Sequence, residues 1–295
     1  MDDIDLAIAK MLISNGRASY SSIARGLGIS TTTVIMRVNG MLKDGVIDRF
    51  FVMPTLSSLG YTVIHVIIKH DDESRVMDVI SRLGYLFMKV RCLGDYTVFG
   101  LASDASRGMN MNRIYESLSD YRVSYVSIVE PAPKRITYND LLIIRYLIKK
   151  NNTRARVNDI ADTLQLSVKT VERRLSRMLT DGIVRFSMIV NPTAVSNFIN
   201  FIMIIRSGGD ISKIRMMLYN ILASNLLMPM IDVSDDTIVA VLHVYSTQEM
   251  DLLLRRVKYM KEVKDVELFV VQRVSIYEDV LVNILDNMIR NNTRR

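Results

Sequence analysis

An offset of 137 residues relates two parts of the chain. Ile23-Ala24 recurs as Ile160-Ala161, Leu27 as Leu164, Ser30 as Ser167 and Val34 as Val171. In each copy the spacing predicts two short helices joined by a tight turn. Ala24 sits where the helices approach closely, Gly28 supplies the positive φ of the turn, and Val34 seats the second helix on the first. Ser30 and Ser167 are good N-caps for that second helix. One such match is a weak signal. Two in register constrain the whole chain, because a repeat of this size means that one architecture is built twice. The copies differ at the turn, where Gln165 replaces Gly28. A residue with a Cβ in a left-handed turn costs roughly 1–2 kcal/mol. The second turn is therefore expected either to differ or to carry strain.

The rest of each repeat follows the same order. Asp3 to Ser14 has apolar residues at helical spacing, and Asn15-Gly16-Arg17 ends that helix. The second helix of the motif runs to Lys43, Asp44-Gly45 stops it, and Val46 to Val52 is extended like a wing. From Tyr61 the period changes to that of strands dense in Val and Ile. The order strand-helix-strand-strand-helix-strand over the following residues is the ferredoxin-like split unit. After a Pro131-Ala132-Pro133 linker the second half repeats the series, with a basic loop, Asn151 to Arg156, before its second helix. The fold class is thus α+β, with two winged helix-turn-helix domains alternating with two ferredoxin-like (βαββαβ) sheet domains. The expected boundaries are 1–52, 53–134, 135–190 and 191–275, followed by a C-terminal helix and basic tail, 276–295. The sheet strands are too apolar to leave one face in water, so the sheet units are expected to associate.

Composition narrows the partners. No apolar run reaches the length of a membrane span, and the acidic start lacks the blocks of a signal peptide. With its single cysteine, Cys92, the chain is expected to be cytoplasmic. The net charge of +7 is uneven. Residues 1–52 hold six Lys/Arg against five Asp/Glu, residues 137–185 hold ten against five, and the two sheet segments balance. A basic excess on a helix-turn-helix is the electrostatic footprint of nucleic-acid binding, here double-stranded DNA. No metal pair at helical spacing, phosphate-binding glycine loop or nucleophile elbow is present, and the three His are expected to pack or face solvent. The expectation is a protein that is not an enzyme and needs no metal or cofactor.

On a helical wheel Val34, Val38, Met41 and Leu42 of the first recognition helix point inward, as do Val171, Leu175, Met178 and Leu179 of the second. The N-terminal part of such a helix usually reads bases. Thr32, Thr33 and Met36 are the candidates in the first copy, and Lys169, Thr170 and Arg173 in the second. Lys43, Arg154, Arg156 and Arg177 are candidates for phosphate. Arg37 and Arg174 lie at the helix edge, where DNA contact and an ion pair with a nearby acid are equally good explanations.

Asn15-Gly16-Arg17, Ile23-Ala24, Ser30, Val34-Ile35-Met36-Arg37-Val38 and Leu42-Lys43-Asp44-Gly45-Val46-Ile47, followed by a split sheet unit, closely resemble the Lrp/AsnC family of transcription regulators. Ile160-Ala161, Ser167, Val171-Glu172-Arg173-Arg174-Leu175 and Asp181-Gly182-Ile183-Val184 resemble it a second time. The likeness implies two protomers fused in tandem, self-association through the sheet domains, and an amino-acid effector near a Gly-acid-aromatic turn. Gly94, Asp95 and Tyr96 match that turn. In the second half Val233-Ser234-Asp235-Asp236-Thr237 lacks the glycine and the aromatic. Some tetrapyrrole decarboxylases resemble the same architecture, but the His- and Arg-rich stretch expected of such a site is missing. A metabolite-sensing assembly module without DNA binding is the third reading, against which the basic second motif argues.

Overall fold

The structure, a computed structural model, describes residues 1–149, 153–196 and 198–292. Asn151 and Asn152 of the basic loop and residues 293–295 of the tail lie outside them. The first head comprises α1 (Asp3–Ser14), α2 (Tyr20–Leu27) and α3 (Thr31–Lys43), and the wing is β1 (Ile47–Pro54). The first sheet unit follows as β2 (Tyr61–Lys69), α4 (Glu73–Leu83), β3 (Tyr85–Cys92), β4 (Tyr96–Asp104), α5 (Met111–Ser117) and β5 (Arg122–Val129). The second head is α6 (Tyr138–Lys149), α7 (Val157–Leu164) and α8 (Val168–Thr180), with β6 (Val184–Val190) as its wing. The second sheet unit is β7 (Ile199–Ser207), α9 (Ile211–Leu222), β8 (Ile231–Ser234), β9 (Thr237–Val244), α10 (Thr247–Lys258) and β10 (Val263–Ile276), and α11 (Glu278–Asn292) closes the chain.

The two wings pair with each other. β1 and β6 run antiparallel, with Phe50 opposite Met188, Phe51 opposite Ser187 and Arg49 opposite Ile189. The 137-residue offset carries the first of these pairs onto the second. A pseudo-dyad therefore passes between them, and the chain is built as an internal dimer. Pairing crosses the halves. The first head shares a core with Met188, Val190, Phe198 and Leu227 of the second half. The second head shares one with Val52, Leu56, Leu59, Val63 and Phe87 of the first half, and with Leu281, Ile284 and Leu285 of α11. α11 has no counterpart in the first half; Arg145 on α6 pairs with its Asp286.

Each sheet unit has the antiparallel order expected of a ferredoxin-like fold, β5-β2-β4-β3 and β10-β7-β9-β8. Among the described residues they join edge to edge through β3 and β10 into one eight-stranded sheet. β10 spans the joint. Val263 to Val270 pair with β7, the register shifts between Val271 and Arg273, and Val271 to Ile276 pair with β3. The two halves fold face to face over Ile67, Val90, Cys92, Val98 and Tyr125 on one side and Ile204, Phe269 and Val271 on the other. The outer faces are covered by α4 and α5 and by α9 and α10. The association expected of the sheet units thus takes place within one chain. One expected strand shrinks. Leu227 to Val233 reads as a strand, but only Ile231–Ser234 is one, with Leu226 making an isolated bridge to Leu242. Leu227 is drawn into the core of the first head instead.

Gly16 shows why the crossed packing tolerates little change. Its N–H donates to Phe186 O at 2.8 Å, and a Cβ placed there would stand 2.7 Å from Ser187 O. Gly16→Ala should therefore push α1 off β6 and cost about 1–3 kcal/mol, seen as a lower melting temperature. In the second turn Gln165 takes φ +52, close to the +67 of Gly28. The strained alternative is the one realised. Gln165→Gly should stabilise the protein by about 0.5–1 kcal/mol, the left-handed penalty less the added flexibility of glycine, in the same melting experiment.

Candidate nucleic-acid interface

Both turns are built alike. Gly28 and Gln165 cap α2 and α7 in the left-handed conformation, their N–H groups donating to Ala24 O and Ala161 O. Ser30 Oγ accepts the Thr33 N–H at 3.0 Å, and Ser167 Oγ accepts that of Thr170 at 3.1 Å. Each cap satisfies one of the open donors at the start of the recognition helix. It also engages the threonine hydroxyl, 2.8 Å from the serine in both copies. Thr33 and Thr170 are half-buried, with their hydroxyls engaged by the caps.

The inward faces hold Val34, Val38 and Met41 in α3 and Val171, Leu175 and Met178 in α8. Leu42 and Leu179, expected inside, are 40% and 37% exposed. At 100° per residue each lies 80° from the first valine of its stripe, and the preceding methionine fills the space. The opposite faces present Thr32, Met36 and Lys43 on α3, and Lys169 and Arg173 on α8, all exposed. Met36 is 64% exposed, which no core role would allow. Arg156 is exposed at the N-cap of α7.

Four of the expected DNA-contacting arginines are engaged elsewhere. Arg37 Nη1 reaches Asp2 Oδ2 at 2.7 Å and Asp5 Oδ1 at 2.8 Å on α1 and its cap. Arg174 Nη1 lies 3.1 Å from Asp140 Oδ1 and also bonds the Thr137 hydroxyl, while Arg177 pairs with Asp140 Oδ2. For Arg37 and Arg174 the ion pair is the alternative realised. Arg177, expected on phosphate, is turned back by the buried carboxylate one helix away. Arg154, also expected on phosphate, donates to the Gly16 and Ala18 carbonyls of the first head. Arg17, which in the sequence marks only the end of a helix, bonds the Thr153 and Ala155 carbonyls of the second head in return. Its signal was there, since Arg17 and Arg154 stand at the 137-residue offset. The effector candidates form a tight turn, with Gly94 and Asp95 at φ +73 and +63. Tyr96 stacks edge-on against Phe269 of β10 at 5.2 Å.

The comparisons with known proteins agree with this geometry. The description of an AsnC-type helix-turn-helix domain matches residues 1–42, and that of a winged helix-turn-helix DNA-binding domain matches residues 136–185. An uncharacterised helix-turn-helix-type transcriptional regulator of Pyrococcus furiosus is 34% identical over 105 residues, 36% of this chain and 66% of its own length. A counterpart in Pyrococcus horikoshii is 35% identical over 97 residues, 33% of this chain and 61% of its own. Another from Pyrococcus furiosus is 30% identical over 121 residues, covering 40% of this chain and 81% of that protein. The chain thus spans just under two thirds of the first two relatives. Among solved structures, the siroheme decarboxylase NirDL aligns with 98% of this chain and 99% of its own, at 12% identity and a TM-score of 0.49. The chain belongs to the Lrp/AsnC family of helix-turn-helix transcriptional regulators.

Asp140 is the charge on which the second head turns. Burial opposes its ionisation, but the Thr137 hydroxyl and amide, with Arg174 and Arg177, outweigh that and hold the carboxyl below its usual range. A carboxylate with a depressed folded pKa adds stability above its unfolded pKa near 3.8, and that stability is lost as the pH falls through the folded value. Asp140→Asn should therefore destabilise the protein at neutral pH by about 3 kcal/mol, because two arginines lose their buried partner. The gap from wild type should narrow in melts taken at progressively more acidic pH below 4.

Proposed function

We propose that this protein is a sequence-specific regulator of transcription that binds double-stranded DNA through both heads. The observation that supports it most is the pair of serine-capped helices whose exposed faces carry Thr32 and Met36 in one copy and Lys169 and Arg173 in the other. In a helix-turn-helix this is the face that enters the major groove. The heads are unequal. Identical heads read palindromes, whereas here a face carrying Thr32 and Met36, with Lys43 only in its last turn, is paired with one carrying Lys169 and Arg173 near its start. Lys169 and Arg173 have no acidic partner among the described residues, so they remain available for guanine. Thr33 and Thr170 offer methyl groups to thymine, and Lys43 and Arg156 flank the reading faces as phosphate contacts. The preferred site is asymmetric, and the second head supplies most of the affinity.

An amino-acid effector at Gly94, Asp95 and Tyr96 belongs to the same reading. Its support is the resemblance together with the turn's position. The Leu93 N–H donates to Val270 O, and Tyr96 packs on Phe269, so a ligand there would press on the joint between the two halves. Association between whole chains is supported by the exposed apolar Met216, Tyr219, Leu252 and Tyr259 of the second sheet unit.

The test is a titration of both variants at fixed salt against a duplex recovered from a randomised pool, with the wild type repeated across a salt series. Arg173→Ala should weaken specific binding about tenfold or more, the loss of one bidentate contact at roughly 1–3 kcal/mol. Met36→Ala should change it little. Affinity of the wild type should fall steeply as salt rises, because bound lysines and arginines release counterions. Equal losses from the two variants would overturn the asymmetry. A flat salt response, or tetrapyrrole absorbance and turnover in the purified protein, would replace the regulator reading with an enzymatic one.

A further inference from the structure

The segments 16–18, ahead of α2, and 153–155, ahead of α7, meet across the pseudo-dyad, and each sends an arginine into the other. Arg17 donates from Nη1 to Thr153 O at 2.6 Å and from Nη2 to Ala155 O at 2.9 Å. Arg154 donates from Nη1 to Gly16 O and from Nη2 to Ala18 O at 3.0 Å. Donors and acceptors obey one rule. The 137-residue offset carries Arg17 onto Arg154, Gly16 onto Thr153 and Ala18 onto Ala155. The result is a reciprocal clamp of charge-assisted bonds, each fork gripping the two carbonyls that flank the opposite arginine.

The aromatic surroundings are built for two cations. The Arg17 guanidinium lies 5.4 Å from the Phe186 ring centroid. That of Arg154 lies 4.5 Å from Tyr20 and 5.4 Å from Phe50. No carboxylate pairs with either arginine among the described residues. Burial, and the nearby Arg154 charge, push the Arg17 pKa below its usual value. Two like charges brought together without a counter-ion oppose association. The four carbonyl acceptors and the aromatic faces offset that cost only in this arrangement, so the contact fixes a geometry.

That geometry acts on the heads. Ala18 and Ala155 immediately precede Ser19 and Arg156, the N-caps of α2 and α7. Each of these helices carries its recognition helix through one tight turn. The β1–β6 ladder and the shared cores tie each head to the opposite half, but a two-stranded ribbon twists and apolar packing is not directional, so neither fixes the angle between the heads as directed hydrogen bonds do. A clamp at the base of α2 and α7 removes that freedom. We propose that Arg17 and Arg154 are positioning residues that fix the distance and phase between α3 and α8, and so set the half-site spacing that the protein accepts on duplex DNA. The spacing part rests on the DNA-binding reading above; the positioning part does not.

The two parts are tested separately. Spin labels at Arg25→Cys and Asp162→Cys, exposed positions related by the same offset, report the distance between the heads in free protein. Cys92 is buried and its thiol pKa is pushed up to about 12, so it stays unlabelled. The distance distribution should be narrow with the clamp intact and at least about twofold broader in the Arg17→Gln/Arg154→Gln background, where the fork donors are gone. Arg17→Lys, which keeps the charge but not the fork, should broaden it as well, and carries the test if the double variant does not fold. An unchanged distribution overturns the proposal. In the second part, inserting about two base pairs between the selected half-sites should cost the wild type tenfold or more in affinity, through lost simultaneous engagement. The clamp variant should lose less than about threefold. A broadened distribution with an unchanged spacing penalty overturns the spacing claim. A broadened distribution with no DNA selected by either protein refutes the DNA reading and leaves the positioning claim supported.

Discussion

The antiparallel pairing of β1 with β6 is the constraint on which the rest of this structure depends. A wing strand beside a small helical head has two open edges and little core of its own. Pairing with a copy of itself satisfies one edge and, because the strands run antiparallel, sends each head toward the opposite half. Phe186, Met188 and Ile189 then face the first and second heads from one strand, and the cores of heads and sheet units become continuous. In a dimer of separate chains such an exchange would depend on protein concentration. Fusion makes it intramolecular, so the partner strand is always present at a high effective concentration.

Fusion also frees the two copies to diverge, and the sheet shows where they did. The pseudo-dyad would relate the β3–β10 joint to a matching joint between β8 and β5. The first exists as a ladder running from Cys92 to Met88. At the second, β5 and β8 end the strand order. There Arg206 on β7 reaches across to Ser124 O at 3.2 Å, while pairing with Asp265 and Glu267. The difference lies in strand length. β10 has fourteen residues where β5 has eight, and β8 has four where β3 has eight. The last residues of β10 also place α11 against α6, and Arg49 of the first wing bonds Ile276 O at 3.0 Å. The second head is therefore braced by an element for which the first has no equivalent.

The local architecture was legible in the sequence because it is written in local terms. Serine caps, the left-handed turn, the Asp-Gly stops and the two changes of hydrophobic period each depend on residues a few positions apart. Leu42 and Leu179 were misplaced because a helical wheel assigns direction, not depth. The shortness of β8 was hidden because Leu227 and its neighbours are as apolar as a strand, yet satisfy a core in another part of the molecule. The crossing of the halves was not legible at all. Nothing in the pattern of Phe50 to Val52 or Phe186 to Met188 distinguishes pairing with a neighbouring sheet from pairing with the other copy.

Charge was the least direct of the signals. The second head's five-charge excess suggests a broad basic surface, but counting formal charges ignores where the side chains go. Arg174 and Arg177 neutralise a single buried carboxylate, Arg145 holds α11, and Arg154 grips the first head. These arginines act at the seams between elements, where a planar fork satisfies two acceptors at once and a lysine would not. Among the exposed cations of the second head, which also include Lys149 and Arg185, Lys169 and Arg173 share one face of α8, with Arg156 at the base of α7. A diffuse field would favour any polyanion. A few cations on a capped helix, whose position is fixed by internal arginines, favour a partner whose phosphates and base edges lie in one register. Under the DNA-binding and clamp proposals above, the engaged arginines serve recognition by holding the frame, and the exposed cations by contact.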